Sequence, residues 1–225
     1  MEVVRLPAAY HDRPVTQCSG GERQRVALAR ALASDPDVLF FDEPLSAIDY
    51  RLRKILEVEL KDLQRATGKT FLYITHSLEE AMVMSDRIAI MRAGRIVQVG
   101  RPTEIYERPN SRFVAEFMGE VNVFEIGPGG ALPGLDAAGA GALEGGALIL
   151  RPEKLRVLGA GESAEIAFPA TVENDYVLGS RSQFHLRAGA RTLITELPAA
   201  AAARVAVGET VRVGFDRADA VETAE

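Results

Sequence analysis

The chain carries a single cysteine among its 225 residues. One thiol, Cys18, excludes an internal disulfide framework and fits a reducing compartment. No apolar run approaches the roughly 20 residues that a membrane-spanning helix needs. The opening Met-Glu-Val-Val-Arg-Leu-Pro lacks the long apolar core of a secretory leader. An excess of positive charge is lacking as well. Against 26 Lys and Arg stand 32 Asp and Glu, and the net charge of −6 argues against a nucleic-acid binder driven by bulk charge. No tandem repeat is visible. What is present, 47% hydrophobic and 26% charged residues, is ordinary for a globular protein of one large or two small domains. These limits predict a cytoplasmic protein that can dock on a membrane partner.

The pattern of the chain changes near residue 120 and sets the expected domains at 1–120 and 121–225. Pro7 and Pro14 limit any helix before residue 18. Ser19 to Ala33 reads as a helix. Val38–Phe41 is a continuous apolar run and predicts a buried parallel strand. Leu52, Leu56, Leu60 and Leu63 recur at helical spacing between Asp49 and Thr67, with Gly68 as the stop. Thr70–Ile74 reads as a second buried strand and Ser77–Met84 as a short helix. Arg92-Ala93-Gly94, between two apolar runs, is a hairpin signal. Short helices are expected at Pro102–Glu107 and Ser111–Met118. Strands alternating with helices indicate an α/β layer with a mainly parallel sheet. Beyond it, residues 127–146 are rich in Gly and Ala and read as a linker. Short alternating segments follow: Leu148–Leu150, Arg156–Leu158, Ile166–Val172, Gln183–Leu186, Thr192–Thr195 and Thr210–Phe215. Their spacing predicts a small β-barrel. Ala199–Ala203 reads as a loop or short helical turn.

Three clusters carry chemistry. Ser19-Gly20-Gly21-Glu22 starts a helix, and Ser19 with Glu22 forms a capping-box pattern. That pattern does not explain two glycines, which cost helix stability. They let backbone N–H groups approach a ligand at a helix N-terminus, where an anion is favoured. Asp42-Glu43 closes an apolar strand, where open α/β sheets place their ligands. A divalent cation carrying phosphates is the usual reason to hold a carboxylate there, since Mg²⁺ wants oxygen ligands. The second carboxylate can orient or deprotonate a water. Read alone, both clusters are equally a plain cap and a solvated turn. His76 follows the next strand at the same sheet edge, and Ser77 with Glu80 gives a second capping-box pattern.

Their order along the chain resembles the second half of an ABC-type nucleotide-binding domain over about residues 12–118. Cys18–Glu22 is similar to the signature motif and Val38–Glu43 to the Walker B strand. Ser46–Asp49 is similar to the D-loop, and His76 to the switch histidine. The resemblance implies a partial P-loop ATPase fold, ATP and Mg²⁺ as ligands, and a head-to-tail dimer with a second nucleotide-binding subunit. It implies that Ser19, Gly20, Gly21 and Glu22 face the nucleotide held by the opposite subunit. Asp42 would help hold Mg²⁺ through water, Glu43 would act on the attacking water, and His76 would contact the γ-phosphate. Asp49 would couple the two sites. Positioned general-base chemistry of this kind is worth about 10²–10⁴ in rate. The family usually has Leu at the place of Cys18, Gln at Glu22 and Leu at Ile48, and Glu22 adds negative charge near a phosphate site.

Leu150-Arg151-Pro152-Glu153 and Tyr176-Val177-Leu178-Gly179-Ser180 resemble the TOBE-type, OB-like barrel of ATPases that import polyamines, sugars, ferric iron, molybdate or related anions, most nearly the polyamine branch, and the resemblance leaves the cargo open among these. Membrane permease subunits are then the implied partners, with an extracellular or periplasmic substrate-binding protein acting indirectly. The implied location is the inner face of the cell membrane. No nucleic-acid partner is implied. These 225 residues contain no Gly-x4-Gly-Lys-Ser/Thr, the phosphate loop known as Walker A. Gly68-Lys69-Thr70 follows Leu63 where a first Gly is needed and precedes a strand. The expectation is an N-terminally truncated ATPase subunit that does not hydrolyse ATP alone and has uncovered apolar sheet faces. The alternative is a non-catalytic regulatory or interaction protein built on the same remnant. Chromosome and DNA-repair ATPases share the three motifs, but the β pattern after residue 120 argues against their coiled coils.

Overall fold

The computed structural model describes residues 4, 6–46, 49–135, 137 and 146–223. Ala47 and Ile48 of the Ser46–Asp49 segment, and residues 136 and 138–145 of the Gly/Ala-rich stretch, lie outside the described residues. The chain divides into two compact units, Met1–Ile88 and Ala89–Glu225.

In the first unit, α1 (Gly20–Leu32) starts at Ser19, whose hydroxyl accepts from the Glu22 N–H. Strands β1 (Val38–Asp42) and β2 (Thr70–Ile74) pair in parallel, Val38 beside Thr70 and Asp42 beside Ile74. The helix α2 (Tyr50–Thr67) connects them. Asp49 caps it by accepting from Leu52 N–H, and Gly68 ends it at φ 64°, a left-handed conformation suited to glycine. Leu56, Leu60 and Leu63 line the buried side of α2. Leu45, Leu56 and Leu60 form a core with Leu28, Phe41, Leu52, Tyr73 and Met84 against it. The Phe41 and Tyr73 rings stack at 4.8 Å. Each buried leucine contributes about 1.5–3 kcal/mol.

The two strands are buried on one face only, which corrects the expectation of fully buried strands from their continuous apolar runs and agrees with the expectation of an uncovered apolar sheet face. Phe40 is 74% exposed, and Val38, Leu72 and Ile74 share its face. A second correction concerns α3 (Leu78–Met84). Ser77 accepts from Glu80 N–H, but the Glu80 carboxylate takes a hydrogen bond from Thr75 at 2.8 Å. Thr75 Oγ1 already satisfies the Ser77 N–H at 3.0 Å, so Glu80 has no need to close the box.

The second unit opens within β3 (Ile88–Arg92), which forms a two-stranded hairpin with β4 (Arg95–Gly100). Its turn places Ala93 and Gly94 at φ 49° and 75°, the two left-handed positions of a tight hairpin. Then come α4 (Pro102–Glu107), with proline in its first turn, and α5 (Arg112–Phe117), capped by Ser111. Two antiparallel sheets follow. One joins β5 (Asn122–Glu125), β6 (Ala147–Leu150) and β12 (Ala220–Thr223) in the order β12-β6-β5. The other runs β10-β9-β8-β11-β7, built from β7 (Arg156–Val157), β8 (Ile166–Val177), β9 (Arg181–Ala188), β10 (Arg191–Pro198) and β11 (Thr210–Phe215). Ala199–Ala202 forms a single helical turn, α6. Both sheets send side chains into one core, Phe124, Leu148 and Leu150 meeting Ile166, Phe168, Phe184, Leu186 and Phe215. The result is a curled, OB-like half-barrel. Leu132, from the Gly/Ala-rich stretch, is 3% exposed and joins that core. A Cβ at Gly214 would stand 2.7 Å from the Ile166 carbonyl, so β11 packs closely only with glycine there.

Candidate functional site

At the head of α1 both halves of the capping box are formed. Ser19 N–H donates to Glu22 Oε2 at 2.7 Å, and Glu22 N–H donates to Ser19 Oγ at 3.4 Å. Gly20 and Gly21 occupy the positions whose N–H groups have no intrahelical acceptor. Glu22 Oε1 accepts a 2.6 Å hydrogen bond from the Tyr10 hydroxyl. The two groups shift each other. The hydrogen bond from Tyr10, with the Ser19 backbone contact, holds the Glu22 carboxyl below its ordinary value. The bond to Glu22 is the first cause that raises the Tyr10 phenol.

At the end of β1, Asp42 is the last strand residue and Glu43 turns the chain at φ 44°, a strained position for a side-chain-bearing residue. The turn is held from both sides. Glu43 N–H donates to the Ile74 carbonyl at 2.8 Å, and Ser46 Oγ donates to the Glu43 carbonyl at 3.0 Å. His76 follows β2, and its Nδ1 lies 2.9 Å from Glu43 Oε1. Both side chains are exposed, the imidazole at 73% and the carboxylate at 47%. With Nδ1–H donating to the carboxylate, Nε2 is left for a second partner. The pair can orient a water or an anion at the strand ends.

Asp42 is exposed and engages no side chain among the described residues. No group of three or more His, Cys, Asp or Glu that could hold a metal occurs among the described residues. One hard oxygen donor fits Mg²⁺ delivered with phosphates, not a metal caged by protein alone. Asp49 Oδ1 accepts from Leu52 N–H at 3.0 Å and serves as the cap of α2. Ser19–Glu22 is tied to the Glu43 turn through Gln24, whose Nε2 donates to the Pro44 carbonyl at 2.5 Å. Tyr10 and Gln24 escaped sequence reasoning, because contacts across 12 and 20 residues leave no local signal.

In the second unit Arg151 is 7% exposed. It donates to the carbonyls of Tyr106 (3.1 Å), Ala115 (3.0 Å) and Glu120 (3.4 Å). Its guanidinium lies 4.0 Å from the Tyr106 ring centroid. The Tyr106 hydroxyl donates to Glu153 at 2.9 Å. Burial first, then this bond, pushes Tyr106 up to about 12, and burial pulls Arg151 down. The Arg-Pro-Glu element thus ties two short helices to the sheet.

Residues 1–46 match the ABC transporter family and residues 148–221 the TOBE domain family. A spermidine/putrescine import ATP-binding protein of Pseudomonas aeruginosa is 46% identical over 217 residues, 89% of this chain and 58% of that protein. Its namesake in Rubrobacter xylanophilus is 42% identical over 234 residues, 93% of this chain and 59% of that protein. The chain thus spans about three-fifths of the length of these relatives. Among solved structures, cbiO1 from Clostridium perfringens, part of the ABC transporter complex cbiONQ, is 28% identical with a TM-score of 0.44, over 46% of this chain and 41% of that chain. No helix among the described residues is long and apolar enough to cross a membrane.

Proposed function

We infer, from the premise that this chain is a relative of the ATP-binding subunits of ABC importers and carries their TOBE domain, that it serves as a nucleotide-engaging component of such an importer. The observation that carries the reading is the 2.9 Å contact of His76 with Glu43 at the ends of two parallel strands, directly after Asp42. In this reading Glu43 accepts the proton of an attacking water and His76 holds Glu43 and meets the terminal phosphate. Asp42 would hold Mg²⁺ through water, and the ion when bound would offset phosphate charge. Ser19, Gly20, Gly21 and Glu22 face the ATP of a second nucleotide-binding subunit, and Asp49 couples the two sites. Residues 1–120 form the ABC-type portion and 121–225 the TOBE portion. Permease subunits hold the protein at the cytoplasmic face of the membrane, and a substrate-binding protein acts through them. The names of the relatives point to a polyamine as cargo.

These 225 residues hold no phosphate loop, so by themselves they are expected to bind ATP poorly and turn it over little. Mixed with a relative that carries its own phosphate loop, the chain is expected to associate in an ATP-dependent way that Ser19→Arg abolishes. Sedimentation velocity with and without Mg-ATP measures this. Turnover by the isolated chain that Glu43→Gln abolishes would refute the expected idleness. Absence of any ATP-dependent association would leave the regulatory reading in its place.

A further inference from the structure

We propose that Tyr10 is a positioning residue for the head of α1: it holds the Glu22 carboxylate inside the capping box and so keeps its negative charge away from the glycine N–H groups. This deepens the nucleotide reading of that site and rests on it.

A carboxylate at Glu22 is a liability if Gly20 and Gly21 are to meet a phosphate, because like charges at a helix head repel. The structure engages both of its oxygens. Oε2 takes the Ser19 N–H at 2.7 Å and Oε1 takes the Tyr10 hydroxyl at 2.6 Å. A capping box alone uses one oxygen and leaves the other free to turn. The phenol fixes the second one. Tyr10 is itself held. It ends the short 3₁₀ turn Ala8–Tyr10, its N–H donates to the Pro7 carbonyl at 3.0 Å, and the Arg13 guanidinium lies 4.9 Å from its ring centroid. Arg13 also places a positive charge beside the pair. With both oxygens occupied, the first-turn donors left to a ligand are Gly20 and Gly21 N–H.

The test compares the wild-type chain with Tyr10→Phe, Glu22→Gln and the double variant in two measurements. Carbon-detected NMR follows the titration of Glu22, where Tyr10→Phe is expected to raise the carboxyl midpoint. Sedimentation velocity follows ATP-dependent association with a relative bearing its own phosphate loop. Tyr10→Phe is expected to raise the ATP concentration for half-association roughly three- to tenfold. In the Glu22→Gln background the same change is expected to do nothing, since no charge remains to be held. An unmoved Glu22 midpoint overturns the proposal alone. So does association that Tyr10→Phe leaves unchanged, or an equal loss in the Glu22→Gln background. Failure of the wild-type chain to associate with ATP at all overturns the nucleotide reading, and the proposal with it.

Discussion

Arg151 donates to three backbone carbonyls from one point, because a guanidinium presents five N–H groups in a planar fork. A lysine keeps the charge but offers a point donor, leaving buried carbonyls unpaired. Arg151→Lys is therefore expected to destabilise the second unit by about 2–4 kcal/mol, read as a lower urea midpoint with unchanged slope. Its neighbour Tyr106 gives a second expectation with a defined sign. The folded-state value is raised to about 12, above the ordinary phenol value of about 10. The protonated phenol is what the fold favours, so its contribution is fully present below pH about 10 and is lost as pH rises through about 12. Phenolate absorbance in the intact chain should show a transition near pH 12 that Tyr106→Phe removes. A Tyr106 that titrates with an ordinary phenol would mean that burial and Glu153 do not act on it.

At the scale of elements, α2 shows how far the sequence carries and where it stops. Its ends are set locally, Asp49 accepting from Leu52 N–H and Gly68 turning left-handed at φ 64°. Asp49→Ala should cost about 1 kcal/mol and Gly68→Ala a similar amount, and at opposite ends of the helix the losses should add. Asp49→Ser keeps a capping oxygen and should restore stability in chemical denaturation, which separates the cap from any role in coupling nucleotide sites. Helix starts at Ser19, Asp49, Pro102 and Ser111 were legible because a cap is chemistry among neighbours in sequence. The strands β5 and β12 were not, since each is four residues long and exists by pairing with β6. Asn122 in β5 has its meaning 72 residues away, where it pairs with both backbone groups of Ile194. The clusters at Ser19–Glu22, Asp42-Glu43 and His76 were legible as chemistry. The Glu43–His76 contact needed the parallel pairing of two strands to bring it about. The apolar runs of β1 and β2 predict burial but not on how many faces, because a run of four or five apolar residues does not say how many layers cover it; the open face follows instead from the expectation of an uncovered sheet.

Taken whole, the chain distributes its core unevenly, and the consequence can be measured. The second unit closes two antiparallel sheets on one interior that includes Phe124, Phe168, Phe184 and Phe215, all 2% exposed or less. The first unit has a small leucine core on one side of a two-stranded parallel sheet and leaves Val38, Phe40, Leu72 and Ile74 open on the other. Parallel sheets are stable in proteins when both faces are covered, so an open face loses the burial that would otherwise offset chain ordering. A chain built this way should unfold in two steps. The residues Ala89–Glu225 produced alone should give one cooperative transition matching the later step of the full chain. The exposed face should bind the dye ANS and promote self-association at high protein concentration. Phe40→Glu with Leu72→Lys should reduce both, while lowering the first step by no more than about 0.5 kcal/mol, because exposed side chains contribute little to the folded core. A large loss of stability from that pair would mean that the face is covered in solution, and a single transition for the full chain would mean that the two cores stand or fall together.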